Sequence, residues 1–189
     1  MALPQLKDEE TYTYADILEW GENVRAELHD GEAVMMAPPL KIHQEIFVQL
    51  VLQIGNFLKG KKCKLYPAPF GVRLFPKNDR SDDTFFEPDI VVVCDSEKLD
   101  DRGCNGAPDL IIEILSPSTA RYDRLYKFRK YQKAHVREYW IVDPETKTVQ
   151  VCILDNDRYV VSVYDETDKA PVAVLEDCEV DLKAVFVDF

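Results

Sequence analysis

No stretch of this 189-residue chain approaches the roughly 20 consecutive apolar residues that a bilayer-spanning helix needs, so no membrane segment is expected. The first ten residues, MALPQLKDEE, carry neither a basic segment nor an apolar one, which argues against a secretory leader and for the cytoplasm. Cysteine is scarce: five residues, at 63, 94, 104, 152 and 178, an odd number without a CxxC spacing. That pattern disfavours a zinc site or a disulfide framework, and neighbouring valines and isoleucines predict reduced, buried thiols. A GxSxG elbow is missing, which excludes a serine hydrolase of that design. Positive charge is also short, with 23 Lys and Arg against 35 Asp and Glu and a net charge of -12, an unfavourable total for holding phosphates. Internal repeats, low-complexity tracts and linkers are absent, so one domain spanning residues 1–189 is expected.

What is present describes a folded protein, since 46% of the residues are apolar and 31% charged. The basic residues are not spread evenly. Between Arg121 and Arg137 stand seven of them (Arg121, Arg124, Lys127, Arg129, Lys130, Lys133 and Arg137) against one acid, Asp123. A charge run of that kind is more often a solvated helix face than a binding surface. Its place directly after an acid-bearing strand gives it a second meaning.

Residues 13–20 read as a short helix, with Thr13 as N-cap, Asp16 three positions on and Gly21 as terminator. Asp30-Gly31 between two runs marks a tight hairpin. From Leu40 to Lys59 apolar residues recur at three-and-four spacing, the mark of an amphipathic helix, and Gly60 ends it. Strands are expected over 69–76, 88–94, 108–116 and 138–144, with a polar connection at 77–86 and a glycine-containing loop at 96–107. The 88–94 strand is apolar on both faces and therefore central. Ser116 and Thr119 cap a basic helix running to about residue 134, and a hairpin turns at Asn156 and Asp157. Together these elements make an α/β fold with a central mixed sheet flanked by helices, preceded by an N-terminal helix and hairpin.

Three side chains carry the chemistry. Strand alternation puts Asp109, Ile111, Glu113 and Leu115 on one face, and Glu87, Asp89, Val91 and Val93 likewise share a face. A carboxylate among isoleucines and leucines, as at Glu113, costs several kcal/mol, roughly, unless a cation or metal accompanies it. Asp89 after Pro88 also reads as a strand-opening turn residue, and Lys127 as an ordinary exposed helix lysine. On a helix, however, Asp123, Lys127 and Tyr131 share one face, which aims Lys127 at Glu113 if that face turns inward. Two carboxylates and one ammonium suit metal-assisted phosphodiester cleavage. A metal-free acid/base pair, as in a glycosidase, lacks a sugar-stacking aromatic pattern.

The stretches AELHDGEAVMMAPPLKIHQEI (26–46), PFGVRLF (69–75), EPDIVVVCD (87–95) and GAPDLIIEILSPSTARYDRLYKFRKYQKAHVREYWIVDP (106–144), in this order, resemble the Uma-type family of restriction-endonuclease-like proteins. That family lies within the PD-(D/E)xK nuclease superfamily. The resemblance implies a restriction-endonuclease-like core, with Asp89 as the first acid and Glu113 as the second. The motif's lysine position holds Leu115 here, and Lys127 from the following helix fits the pattern of a substitute. Glu27 resembles an additional acid of the N-terminal hairpin, and His43-Gln44 match the HQ step of the long helix, with His43 hydrogen bonding near the cleft. The implied activity is a Mg²⁺-dependent endodeoxyribonuclease, with Mn²⁺ as the alternative ion. Asp89, Glu113 and the Ile114 carbonyl would hold the metal, and Arg121, Arg124 and Lys130 would contact DNA. A homodimer is expected, since cutting both strands is simplest with two sites about a two-fold axis. The competing reading is a nuclease fold that binds nucleic acid or protein without cutting.

Overall fold

A computed structural model describes residues 11–21 and 24–187. Residues 1–10, on which the expectation of no secretory leader rests, lie outside them. Helix α1 (Tyr14–Trp20) opens with the Asp16 carboxylate accepting both the Thr13 N–H and the Thr13 hydroxyl at 2.7 Å, and ends at Gly21. Strands β1 (Ala26–His29) and β2 (Glu32–Met35) form the expected hairpin, closed by Asp30 and Gly31 at φ 54° and 87°. Helix α2 (Lys41–Phe57) buries Ile46, Leu50 and Ile54 along one stripe.

Then come β3 (Lys64–Pro67), β4 (Gly71–Arg73), β5 (Ile90–Val93), β6 (Leu99–Asp100), β7 (Gly103–Asn105) and β8 (Leu110–Ile114). The crossover after β8 starts as a π-helical stretch, Tyr122–Lys127, and continues as α3 (Phe128–Lys133). The chain ends with β9 (Glu138–Asp143), the hairpin β10 (Thr148–Asp155) and β11 (Arg158–Asp165), β12 (Lys169–Pro171), β13 (Glu179–Asp181) and α4 (Leu182–Val185).

Six strands form the central sheet in the order β11-β10-β9-β8-β5-β3. Only β8 and β9 run parallel in it, as a helical crossover requires, and the other neighbours are antiparallel. One face packs Ile90, Val92, Leu110, Ile112, Trp140 and Val142 under α2 and the C-terminal segment. The other packs Val91, Ile111, Tyr139 and Ile141 under Tyr131 and Val136 of the crossover. β5 and β8 are thus apolar on both faces because both faces are covered.

Three expectations are corrected. The strand read over 69–76 is the short β4, paired with β7 in a separate three-stranded sheet. The strand beside β5 is β3, which ends before a cis Ala68–Pro69 bond, and its sequence KLYP is too short to announce itself. The 96–107 loop contains β6 and β7, and Gly103 (φ 150°) lies so close to Gly71 that an added Cβ would stand 2.1 Å from its carbonyl oxygen. Finally, Cys63 and Cys94 are not reduced thiols. The antiparallel pairing of Lys64 with Val93 brings them opposite each other, Cα atoms 3.9 Å apart, and a disulfide joins them. Cys104, Cys152 and Cys178 are free and buried, as expected.

Ile112 is fully buried between β5 and β9. Ile112→Ala should lower the unfolding free energy by about 2–5 kcal/mol in a urea titration, with the slope unchanged.

Candidate functional site

Lys127 is a buried lysine, 5% exposed, on the second half of the π-helical stretch. Its ammonium donates to Glu27 Oε1 at 2.8 Å and to Glu113 Oε1 at 2.9 Å, with Asp123 Oδ1 3.6 Å away. The residues meet because three elements supply one face each. Glu27 points inward from β1, Glu113 from β8 on the face shared with Ile111, and Asp123 and Lys127 from the crossover. The wider turn of a π-helix, whose Phe128 N–H reaches back to the Asp123 carbonyl, carries both residues into the interior. Tyr139 donates to that same carbonyl at 3.1 Å.

Glu113 and Glu27 each have a second tether. The Tyr131 hydroxyl donates to Glu113 Oε1 at 2.7 Å. His29 Nε2 lies 2.9 Å from Glu27 Oε2, and the Glu87 N–H donates to Glu27 Oε1 at 3.1 Å. The His29 ring stacks on Tyr126, centroids 4.9 Å apart, and meets Phe86 edge-on. Asp89, at the mouth of β5, accepts the Ile114 N–H at 2.7 Å through Oδ2. His43, from the first turns of α2, stands 3.2 Å from the same oxygen.

The electrostatics are lopsided. Burial pushes the Glu113 carboxyl well above the usual range; Lys127 pulls it down, but Asp123, Asp89 and Glu27 add to the upward shift. Burial likewise raises Asp123, against the pull of Lys127. Glu27 goes the other way: burial opposes ionisation, yet the Lys127 charge and the bonds from His29 and Lys127 hold it at about 2. Lys127 is disfavoured by burial and still rises well above its ordinary value, because Glu113, Glu27 and Asp123 surround it. Three carboxylates therefore share one lysine, and Asp123 Oδ1 is buried without a hydrogen-bond partner.

That surplus of hard oxygen donors fits a divalent cation such as Mg²⁺. Among the described residues, no three His, Cys, Asp or Glu side chains are grouped closely enough to hold a metal by themselves.

The cationic candidates stand apart from this centre. Arg121 is exposed. Arg124 pairs with Asp143 at 2.6 Å, and Lys130 with Asp30 at the tip of the N-terminal hairpin. Leu115, in the motif's lysine position, is buried in the core layer beneath the crossover. Sequence reasoning did not include Asp123, Tyr131 or His29 in the site. Asp123 and Tyr131 were detectable from their helical spacing to Lys127, and His29 from its two-residue spacing to Glu27 on one strand.

A family model described as "Uma2: Putative restriction endonuclease" matches residues 12–183. The chain belongs to this family. An uncharacterized protein of Synechocystis sp. is 32% identical over 130 residues, which is 68% of this chain. The chain spans 63% of that relative's length. The crystal structure of a protein from Anabaena variabilis, described as "a putative nuclease belonging to DUF820", superposes with a TM-score of 0.74 at 22% identity. The match covers 93% of this chain and 97% of that one, and shows a shared fold. Among the described residues, no helix is long and apolar enough to cross a membrane.

Two predictions follow from the buried lysine. Lys127→Met leaves buried acids without their cation and should cost about 3–5 kcal/mol of unfolding free energy, read by denaturant titration. Glu27 ionises more readily folded than unfolded, so its contribution is present above its ordinary pKa and disappears as pH falls toward the folded value of about 2. The stability advantage of wild type over Glu27→Gln, on the order of 3 kcal/mol near neutral pH, should shrink between about pH 5 and pH 2 in acid titrations of the unfolding midpoint.

Proposed function

We propose that this chain is a metal-dependent endonuclease that hydrolyses DNA phosphodiester bonds, with Mg²⁺ or Mn²⁺ held by Asp89, Glu113 and the Ile114 carbonyl. The observation that carries the reading is the surplus of buried carboxylate around Lys127, an arrangement that is short of positive charge by itself. Membership in the restriction-endonuclease family supports it.

A bound divalent ion would supply charge to the scissile phosphate and lower the pKa of a water. The protein's own groups do the rest. Glu27 anchors the Lys127 ammonium from the side away from β8, and Tyr131 holds the Glu113 carboxylate in place. The Ile114 N–H orients Asp89 through Oδ2. Lys127 then presents an N–H to the attacking water or to the phosphate oxygens as charge builds on them. Arg121 meets the phosphate backbone directly. Arg124 and Lys130 contribute by exchanging Asp143 and Asp30 for phosphate, which makes backbone contacts sequence-independent. The working unit is a homodimer in which each copy cuts one strand.

The second reading, a fold that binds without cutting, draws support from Leu115 in the lysine position and from the ion pairs that occupy Arg124 and Lys130. Supercoiled plasmid incubated with Mg²⁺ or Mn²⁺ separates the two. The nuclease reading expects nicking that falls by about 10³-fold in Asp89→Ala and Glu113→Ala while circular dichroism stays unchanged. Metal-independent DNA binding with no nicking under any divalent cation would instead establish the binding module.

A further inference from the structure

The last strand of the central sheet, β11, is an edge strand, with no strand beyond it among the described residues. Its sequence, RYVVSVYD, contains neither lysine nor proline, two residues that commonly protect such edges. Val160, Val161 and Val163 are 57%, 46% and 63% exposed. The β10–β11 turn is a two-residue loop, Asn156-Asp157, with φ of 44° and 67°, so Asp155 and Arg158 form the hydrogen-bonded closing pair. Antiparallel pairing alternates from there, and the backbone groups of Tyr159, Val161, Val163 and Asp165 point outward. Two observations bear this out. The Tyr159 N–H donates to Gln132 Oε1 at 3.0 Å, and the Asp165 N–H donates to Asp168 Oδ2 at 2.9 Å. Both ends of the edge are therefore stoppered by side chains. Among the described residues an open window remains at Val161 and Val163, centred on Ser162.

We propose that this window pairs with the same window of a second copy of the chain, strand β11 against strand β11 about a two-fold axis through Ser162. Faces of a sheet are preserved by an axis perpendicular to it, so residue pairs must add to an even number, and Ser162 opposite Ser162 satisfies this. Val161 then lies opposite Val163 of the second copy, each such pair exchanging both N–H···O=C bonds, and no outward group of either window is left unmet. Charge agrees with this register. Arg158, exposed and without an ion pair among the described residues, comes level with Glu166 of the second copy, which lies just past the end of β11 and pairs with Lys147 of its own chain at 3.1 Å. It thereby enters the acidic turn Asp165-Glu166-Thr167-Asp168. An unrelated strand would need to match both the short window and this charge order. The inference is argued from the sheet edge and names an interface for the homodimer proposed above, whereas the cleavage chemistry itself, read by plasmid nicking, does not depend on it.

Sedimentation equilibrium over a range of protein concentrations tests it, with cysteine cross-linking to fix the register. Wild type should shift from monomer mass toward dimer mass as concentration rises. Val161→Pro removes an outward N–H without touching the β10 ladder and should remain monomeric with an unchanged unfolding midpoint. Val163→Lys keeps the backbone N–H but sets an ammonium in the window opposite Val161 of the second copy, and should likewise stay monomeric. Ser162→Cys should give a disulfide-linked dimer with glutathione disulfide as oxidant, because opposite Cβ atoms stand about 4.5–5.5 Å apart. Val160→Cys should not, since its counterpart lies four residues along the strand, about 13 Å away. A wild type that is monomeric at every concentration, dimerisation unaffected by both edge variants, or linking at position 160 as efficient as at 162 would overturn the proposal.

Discussion

A lysine ammonium buried among carboxylates connects three parts of the chain that are far apart in sequence. Lys127 bonds to Glu27 in the first hairpin and to Glu113 in the central sheet, and its own crossover adds Asp123. Buried, any one of these charges would be strongly unfavourable alone. Together they make the hairpin, the sheet and the crossover mutually dependent, and they define where the hairpin sits. Tyr126 and Lys130 reinforce the same docking from outside, both reaching Asp30 at the hairpin tip. The hairpin also docks by apolar contact, since Leu28 is fully buried with Tyr14 and Phe85 and its backbone pairs with that of Phe85, and the polar anchoring adds to this packing beside the acidic centre.

The crossover could not make this contact as an ordinary exposed helix. Its inward face carries Asp123, Lys127 and Tyr131, and the layer around them is aromatic. Tyr131 meets Phe86 and Tyr139 edge-on, with centroids 5.6 and 4.8 Å apart. Aromatic edges and hydroxyls surround charge at lower cost than aliphatic carbon does. The opposite face of the sheet needs no such accommodation, and there α2 packs aliphatic residues on aliphatic residues. A different buried acid, Glu138, holds that side together: both carboxylate oxygens accept bonds, from the Trp140 indole at 2.7 Å and from the Val174 N–H at 2.8 Å. It ties the C-terminal segment to β9.

Much of this was legible in the sequence where the relevant pattern is local. Alternation around Glu113 gave its face, helical spacing gave the inward row of Asp123, Lys127 and Tyr131, and Asp30-Gly31 gave the hairpin. The parts that were not legible depend on distant partners. β3 is four residues with an ordinary composition, and only its register against β5 makes it a strand and brings Cys63 to Cys94. The π-helical turn was hidden because one wide turn within a helix is marked by no particular residue type. Basic residues from 121 to 137 looked like one face, but Asp143, Asp30 and Asp109, which neutralise Arg124, Lys130 and Arg137, come from elsewhere in the chain.

Those three ion pairs have a consequence for how the surface meets any polyanion. Much of the affinity of basic proteins for such polymers comes from counterions set free when a lysine or arginine replaces them. A guanidinium already bonded to an internal carboxylate must first give up that partner, and the exposed carboxylate then recruits a cation from solution. The gain in mixing entropy is largely cancelled. Affinity should therefore respond weakly to ionic strength for a chain with this many basic residues in one segment, and recognition would depend on fit at the acidic centre more than on charge density along the crossover.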